Sequence, residues 1–338
     1  MHFRRYKKII ISLLVTFFVL LAVLFFAARN MGQTVYTPEF GISFDPEYAL
    51  SMGLDWQEVY MHMLQDLQPE YVRIAAKWNT IQPENRDGFD YKSIDWMMNR
   101  AYEHNAKVVL AMGQKSPRWP ECYVPSWVSE DGIVYEYDLL RYVQTTVERY
   151  YTHPALFMWQ VENEPFIVFD FGECARFEKD MVEKEVSRVR MYDVVHPILI
   201  TDSGELGFWR KASRVGDVFG TTLYRVVRKP GGKIFTYDWL APGWYNLKAK
   251  LLGIQPKDMI VSELQAEPWF FQETPLLASV PRMEETMTPE RLVQHIDFAQ
   301  HLHVAQVYLW GVEWWYYMME ERDDGRYWST AKEFLADT

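Results

Sequence analysis

Two apolar runs of this chain each close on a glutamate. The first, Leu156–Val161, continues through Glu162 and Asn163 to Glu164 and Pro165. The second, Asp258–Ser262, is followed at once by Glu263. A carboxylate is poorly placed inside a buried strand, so an acid at the end of such a run faces either solvent or a site. Two carboxyl groups flanking one bond can divide the work of glycosidic cleavage. One, protonated, donates to the leaving oxygen; the other, ionised, attacks the sugar or activates water. Either glutamate alone is explained equally by a carboxylate in a surface loop. The pair, closing two comparable runs, points to chemistry.

Such a pair needs a scaffold that brings two strand ends to one place. Eight apolar runs qualify as buried strands: Phe40–Phe44, Tyr71–Ala76, Lys107–Met112, Leu156–Val161, Pro197–Thr201, Asp217–Leu223, Asp258–Ser262 and Val304–Trp310. They read as continuous apolar stretches, the pattern of parallel strands covered on both faces. The intervening segments show helical spacing. Ile94, Met97, Met98 and Ala101 fall on one helical face behind Asp90, the expected N-cap. Leu139–Tyr151 behaves similarly and ends at His153-Pro154. Alternating strands and helices on this scale predict an α/β fold, a (β/α)8 TIM barrel. A doubly wound sheet is the alternative, but no Gly-rich phosphate loop follows the first run. In a barrel the strand ends converge on one mouth, and the two glutamates close the fourth and seventh of eight runs.

The N-terminus is a separate object. Arg4, Arg5, Lys7 and Lys8 precede an uninterrupted apolar run from Ile9 to Ala28. As a helix this run spans about 30 Å, the thickness of a bilayer core. No clear small-residue cleavage site follows it, so it reads as an uncleaved signal anchor, with a cleaved signal peptide as the runner-up. The basic residues then stay cytoplasmic and the rest of the chain faces outward.

Five of the 35 Lys and Arg, and none of the 46 Asp and Glu, precede residue 31. The remainder therefore holds 30 basic against 46 acidic groups, a net charge of −16. That balance argues against nucleic acid and anionic lipid surfaces as ligands of the outward part. Cys122 and Cys174 lack metal-site spacing, and the eight His form no metal-binding motif, so neither a metal nor another cofactor is expected. In an oxidising compartment the two cysteines are expected to pair, because they follow neighbouring strands at one barrel mouth. Aromatic residues make up 16% of the chain, with 14 Trp, an excess suited to stacking on sugar rings as well as to core packing. The long segments Arg225–Trp244 and Gln265–Met287 follow the sixth and seventh runs and read as walls of a substrate cleft.

The segment Trp159–Pro165, with its Asn163-Glu164-Pro165 core, resembles the acid/base motif of clan A glycoside hydrolases. Trp159-Gln-Val-Glu-Asn-Glu164 is similar to glycoside hydrolase families 42 and 35, largely β-galactosidases. Trp78-Asn-Thr-Ile-Gln-Pro-Glu84 through Ser116-Pro-Arg-Trp119 also looks like family 42. The resemblance extends as a pattern over most of residues 40–335. It implies a retaining glycosidase acting on a carbohydrate by double displacement, with Glu164 as acid/base and Glu263 as nucleophile. It further implies that Asn163 binds the sugar hydroxyl beside the cleaved bond, that Arg73 and Tyr224 support the nucleophile, and that Trp310 is a sugar platform.

There are departures from the pattern. Thr222 stands where many clan members carry histidine, and the further domains and metal site typical of family 42 have no counterpart here. Glu162, Glu267 and Glu313 also fall near the mouth and stay outside the catalytic pair. The domain reading is a basic cytoplasmic segment at 1–8, a transmembrane anchor at 9–28, a short stalk at 29–38 and a (β/α)8 catalytic domain at 39–338. Membrane and carbohydrate are the partners implied; no protein partner is indicated. A retaining pair should lie about 5–5.5 Å apart. The competing functional reading is a catalytically silent, membrane-anchored glycan-binding module on the same fold.

Overall fold

The computed structural model describes residues 2–129, 131–167, 172–174, 177–270 and 273–336. Eight parallel strands close into a barrel: β1 (Glu39–Ser43), β2 (Tyr71–Ala75), β3 (Lys107–Met112), β4 (Leu156–Val161), β5 (Ile198–Asp202), β6 (Val218–Leu223), β7 (Met259–Gln265) and β8 (Gln306–Trp310). They follow one another in chain order around the ring, and β8 pairs back onto β1. All eight apolar runs became strands. The seventh extends further than expected, so Glu263 lies within β7 and not beyond it.

The period of two along each strand builds the site floor. Tyr71, Val109, Met158, Leu199, Ile260 and Tyr308 point into the barrel and form its inner core. The next inward position on five of those strands is Arg73, Gln160, Thr201, Ser262 or Trp310, so the barrel turns polar one layer up. The alternate residues, such as Val72, Val108, Leu110 and Ile200, pack outward against the helices. The pairing of β7 shifts by one residue beside Val261 on both its neighbours, a bulge that re-aims the residues after it.

The helix expected over 94–101 spans Lys92–Glu103 and buries the four residues named. Asp90 lies one position before the cap, Tyr91; its carboxylate still accepts the Lys92 N–H at 3.0 Å. The helix read from Leu139 begins earlier, at Gly132, where Asp131 caps it by accepting from Ile133 and Val134.

An N-terminal helix, His2–Met31, contains a stretch from Ile10 to Met31 of mean hydropathy 3.0, long and apolar enough to cross a membrane. Its end is seated on the barrel. Gly243, in the helix Pro242–Leu252, lies so close that an added Cβ would fall 1.7 Å from the Ala28 carbonyl oxygen. Asn246 donates to Met31 O at 3.1 Å, and Tyr36 stacks on His303 at 4.3 Å. Within residues 29–38, expected as a stalk, Met31 and Tyr36 touch the barrel while most of the others are exposed.

Candidate active site

Arg73, buried on β2, has every branch of its guanidinium in use. Nε donates to Gln160 at 2.7 Å, one terminal nitrogen to Glu263 Oε1 at 3.0 Å and to Ser262 O at 3.3 Å, and the other to Asn163 Oδ1 at 3.1 Å. Tyr224, directly after β6, donates its hydroxyl to Glu263 Oε2 at 2.7 Å. Each oxygen of Glu263 therefore holds a donor. Burial, then the Glu263 charge, push the Tyr224 phenol well above its usual range and keep the proton in that bond. Trp269 meets the Tyr224 ring edge-on at 5.1 Å.

Glu164 is held differently. It sits in left-handed backbone, φ 45°, as does Glu162 at φ 60°, a conformation costly for residues other than glycine and common where a site fixes geometry. Thr201 accepts its amide at 2.8 Å. Thr222 donates to its Oε1 at 2.9 Å, so the residue noted as a departure from the pattern touches this carboxyl directly. Burial, then the charges of Glu263 and Glu121, hold its carboxyl well above the ordinary glutamate range; Lys115 and Thr222 oppose them. The two carboxyls thus differ in their surroundings: Glu164 takes a hydroxyl donor and the opposed charges of Lys115 and two glutamates, Glu263 a guanidinium and a phenol.

The loop after β3 supplies three side chains that the sequence reading left out. Glu121 accepts from Asn163 Nδ2 at 3.3 Å, with the Lys115 ammonium 3.9 Å away. Burial pushes Glu121 up to about 8, with Lys115 opposing and Glu263 adding to the shift. Arg118, at φ 83°, lies between the rings of Tyr48 and Trp310, 3.5 Å and 4.3 Å from their centres. It pairs with Glu267 at 2.8 Å and approaches Glu313 at 3.6 Å. Cys122 and Cys174 form the expected disulfide, Cα–Cα 5.2 Å, tying this loop to the segment after β4. Proline at 117 and 120 and cysteine at 122 mark the loop as shaped, but nothing in its composition says where its charges point.

Of the six nominated residues, Arg73, Asn163, Glu164, Tyr224 and Glu263 converge on one buried centre. Trp310 adjoins it, and the Arg118 guanidinium covers its ring. The two long segments after β6 and β7 pack together: Val226–Arg228 pairs with Ile234–Thr236, Gln265 bonds both backbone groups of Val226, and Arg228 meets Glu285 at 2.8 Å. A separate cleft of about 780 Å³, lined by Phe166, Asp202, Trp209 and Arg214 among others, includes none of the six.

Solved glycosidase structures share this architecture. The β-galactosidase of Halorubrum lacusprofundi superposes with a TM-score of 0.55 over 88% of this chain and 58% of its own, at 15% identity. A β-galactosidase of the psychrophile Marinomonas ef1 gives 0.53 over 80% and 53%, also at 15% identity. A GH5_18 enzyme of Streptomyces cattleya in complex with GlcNAc gives 0.55 over 82% and 71%, at 14% identity. The fold is that of the TIM-barrel glycoside hydrolases. Among curated proteins, β-galactosidase BgaB of a Geobacillus strain is 28% identical over 108 residues, 26% of this chain and 16% of that protein. The chain spans only a small part of that relative and little more than half of the two β-galactosidase structures. No family model matches the chain.

Proposed function

We propose that this chain is a retaining glycoside hydrolase that cleaves O-glycosidic bonds of an oligo- or polysaccharide by double displacement. The observation that carries the reading is the unequal treatment of two carboxyls in one centre. Glu263 takes a hydrogen bond on each oxygen from Arg73 and Tyr224. Glu164 has Thr222 as its side-chain donor and retains its proton through burial and neighbouring negative charge.

In the first step Glu263 attacks the anomeric carbon while Glu164 gives its proton to the leaving oxygen. The glycosyl ester that forms removes the Glu263 charge, so Glu164 becomes more acidic and is ready as a base. In the second step Glu164 takes a proton from water as that water attacks the ester, which restores both groups. Asn163, fixed through Oδ1 by Arg73, presents Nδ2 to the sugar hydroxyl beside the cleaved bond.

The apolar N-terminal helix serves as a membrane anchor, with the barrel on the extracytoplasmic side. The names of the relatives make β-galactosides the first substrates to try. Purified protein is tested against aryl β-glycosides and polysaccharides, beginning with β-galactosides. Sugar release that Glu263→Gln abolishes supports the reading; no release from any member of a broad panel favours the silent glycan-binding module.

A further inference from the structure

The helix Met181–Tyr192 turns Met181, Val182, Val186 and Val189 toward the barrel and sets one carboxyl among them. That carboxyl is Glu185, fully buried and set against the carboxyl of Glu162, just past the end of β4. The oxygens of Glu162 are both engaged: Oε1 accepts the Gln114 N–H at 2.8 Å and Oε2 the Lys115 N–H at 2.5 Å. Neither oxygen of Glu185 meets an N–H or hydroxyl donor. The groups facing the pair are Lys115, from the loop after β3, whose charge acts on Glu162, and the phenol of Tyr142, from the helix Gly132–Tyr150. Among the described residues no lysine or arginine pairs with Glu185.

Two buried carboxyls in contact cannot both be ionised, because an uncompensated charge out of water neutralises by taking a proton. Burial pushes Glu162 up to about 7, but it accepts two N–H bonds and is the more readily ionised of the two. Glu185, with nothing else to accept, suits the protonated form. We propose that Glu185 is a positioning residue: as the neutral acid it donates its proton in a hydrogen bond to the Glu162 carboxylate and so holds the loop after β3 against the strand that carries Glu164. That the centre so held is catalytic rests on the glycosidase reading.

The loop start has no slack for Glu162 to move. An added Cβ on Gly113 would fall 2.6 Å from the Glu162 carboxyl carbon. Lys115, Arg118 and Glu121 all ride on this loop, and Glu164 lies two residues beyond Glu162. Releasing Glu162 therefore disturbs both sides of the centre.

The proton makes the bond dependent on pH. Burial, then the Glu162 charge, hold the Glu185 proton well above the ordinary glutamate range. The unfolded chain releases it near the ordinary value. Between those points the folded chain binds more protons, so stability falls as pH rises until the folded group titrates. Glutamine donates the same bond and does not titrate.

Thermal melting of the full-length protein in detergent, from about pH 5 to about pH 9, compares wild type with Glu185→Gln. The margin by which the glutamine variant outlasts wild type should widen with pH. Buried acids that do not touch Glu185 are common to both proteins and cancel. A margin that stays constant across the range overturns the shared proton. Turnover tests the positioning: Glu185→Leu should lose kcat and Glu185→Gln should recover it, while equal turnover in all three proteins overturns that role. A wild type inactive on every glycoside refutes the glycosidase reading and the positioning claim with it; the melting comparison still decides the proton.

Discussion

Each oxygen of Glu263 receives a donor, whereas Glu164 is flanked by the negative charges of Glu263 and Glu121. The two residues should therefore fail differently when removed. Glu263→Ala should abolish turnover, and azide should restore it with product of opposite anomeric configuration. Without azide rescue, Glu263 is not the nucleophile. Glu164→Ala should lower kcat/KM by about 10²–10⁴-fold for poor leaving groups and spare the first step for excellent ones, which need no proton. An equal loss for both would remove Glu164 as the acid. Glu121, pushed up to about 8, adds its charge to the site only as the pH passes that value; Glu121→Gln removes that charge, so the alkaline limb of kcat/KM should move to lower pH, and a limb that stays in place would show that Glu121 does not act on Glu164. The carboxyl pair was legible in sequence because each glutamate closes an apolar run. Arg73 and Tyr224 were legible only through resemblance, since an arginine in a strand carries no sign of what it faces. Glu121 and Arg118 were not legible, because left-handed residues and a disulfide set their direction.

The loop after β3 carries Lys115, Arg118 and Glu121, and its two ends are tied to the segment after β4. Its amides at Gln114 and Lys115 rest on Glu162, Lys115 bridges to Cys122, and Cys122 is tied to Cys174. The disulfide closes a segment of 52 residues, for which chain entropy gives roughly 4 kcal/mol as an upper bound. Replacing both cysteines by serine should lower Tm by roughly 3–6 °C. It should also cost kcat/KM, since Glu121 precedes Cys122 directly. Differential scanning calorimetry and kinetics on the double variant check both; unchanged values would make the bond incidental to site and stability. All eight strands were legible because buried parallel strands are apolar throughout. The bulge in β7 was not, since it arises from pairing with β6 and β8 and not from its own composition.

At the scale of the whole molecule, a helix of membrane-spanning length meets a barrel through the close approach at Gly243 and the bonds of Asn246. In the proposed arrangement the anchor stays on the mature protein. N-terminal sequencing of the membrane fraction should find residues before Ile9; a start near Arg29 would mean the helix is cleaved as a signal. Gly243→Leu should loosen the junction and expose the segment 32–38 to protease in detergent, and a digestion pattern like that of wild type would contradict that account of the seat. The barrel itself carries the central claim, that Glu164 and Glu263 work as a retaining pair. The most direct test is proton NMR of the first sugar released from an aryl glycoside, recorded before mutarotation. Double displacement requires that product to keep the anomeric configuration of the substrate. An inverted first product from the wild-type protein would contradict the account.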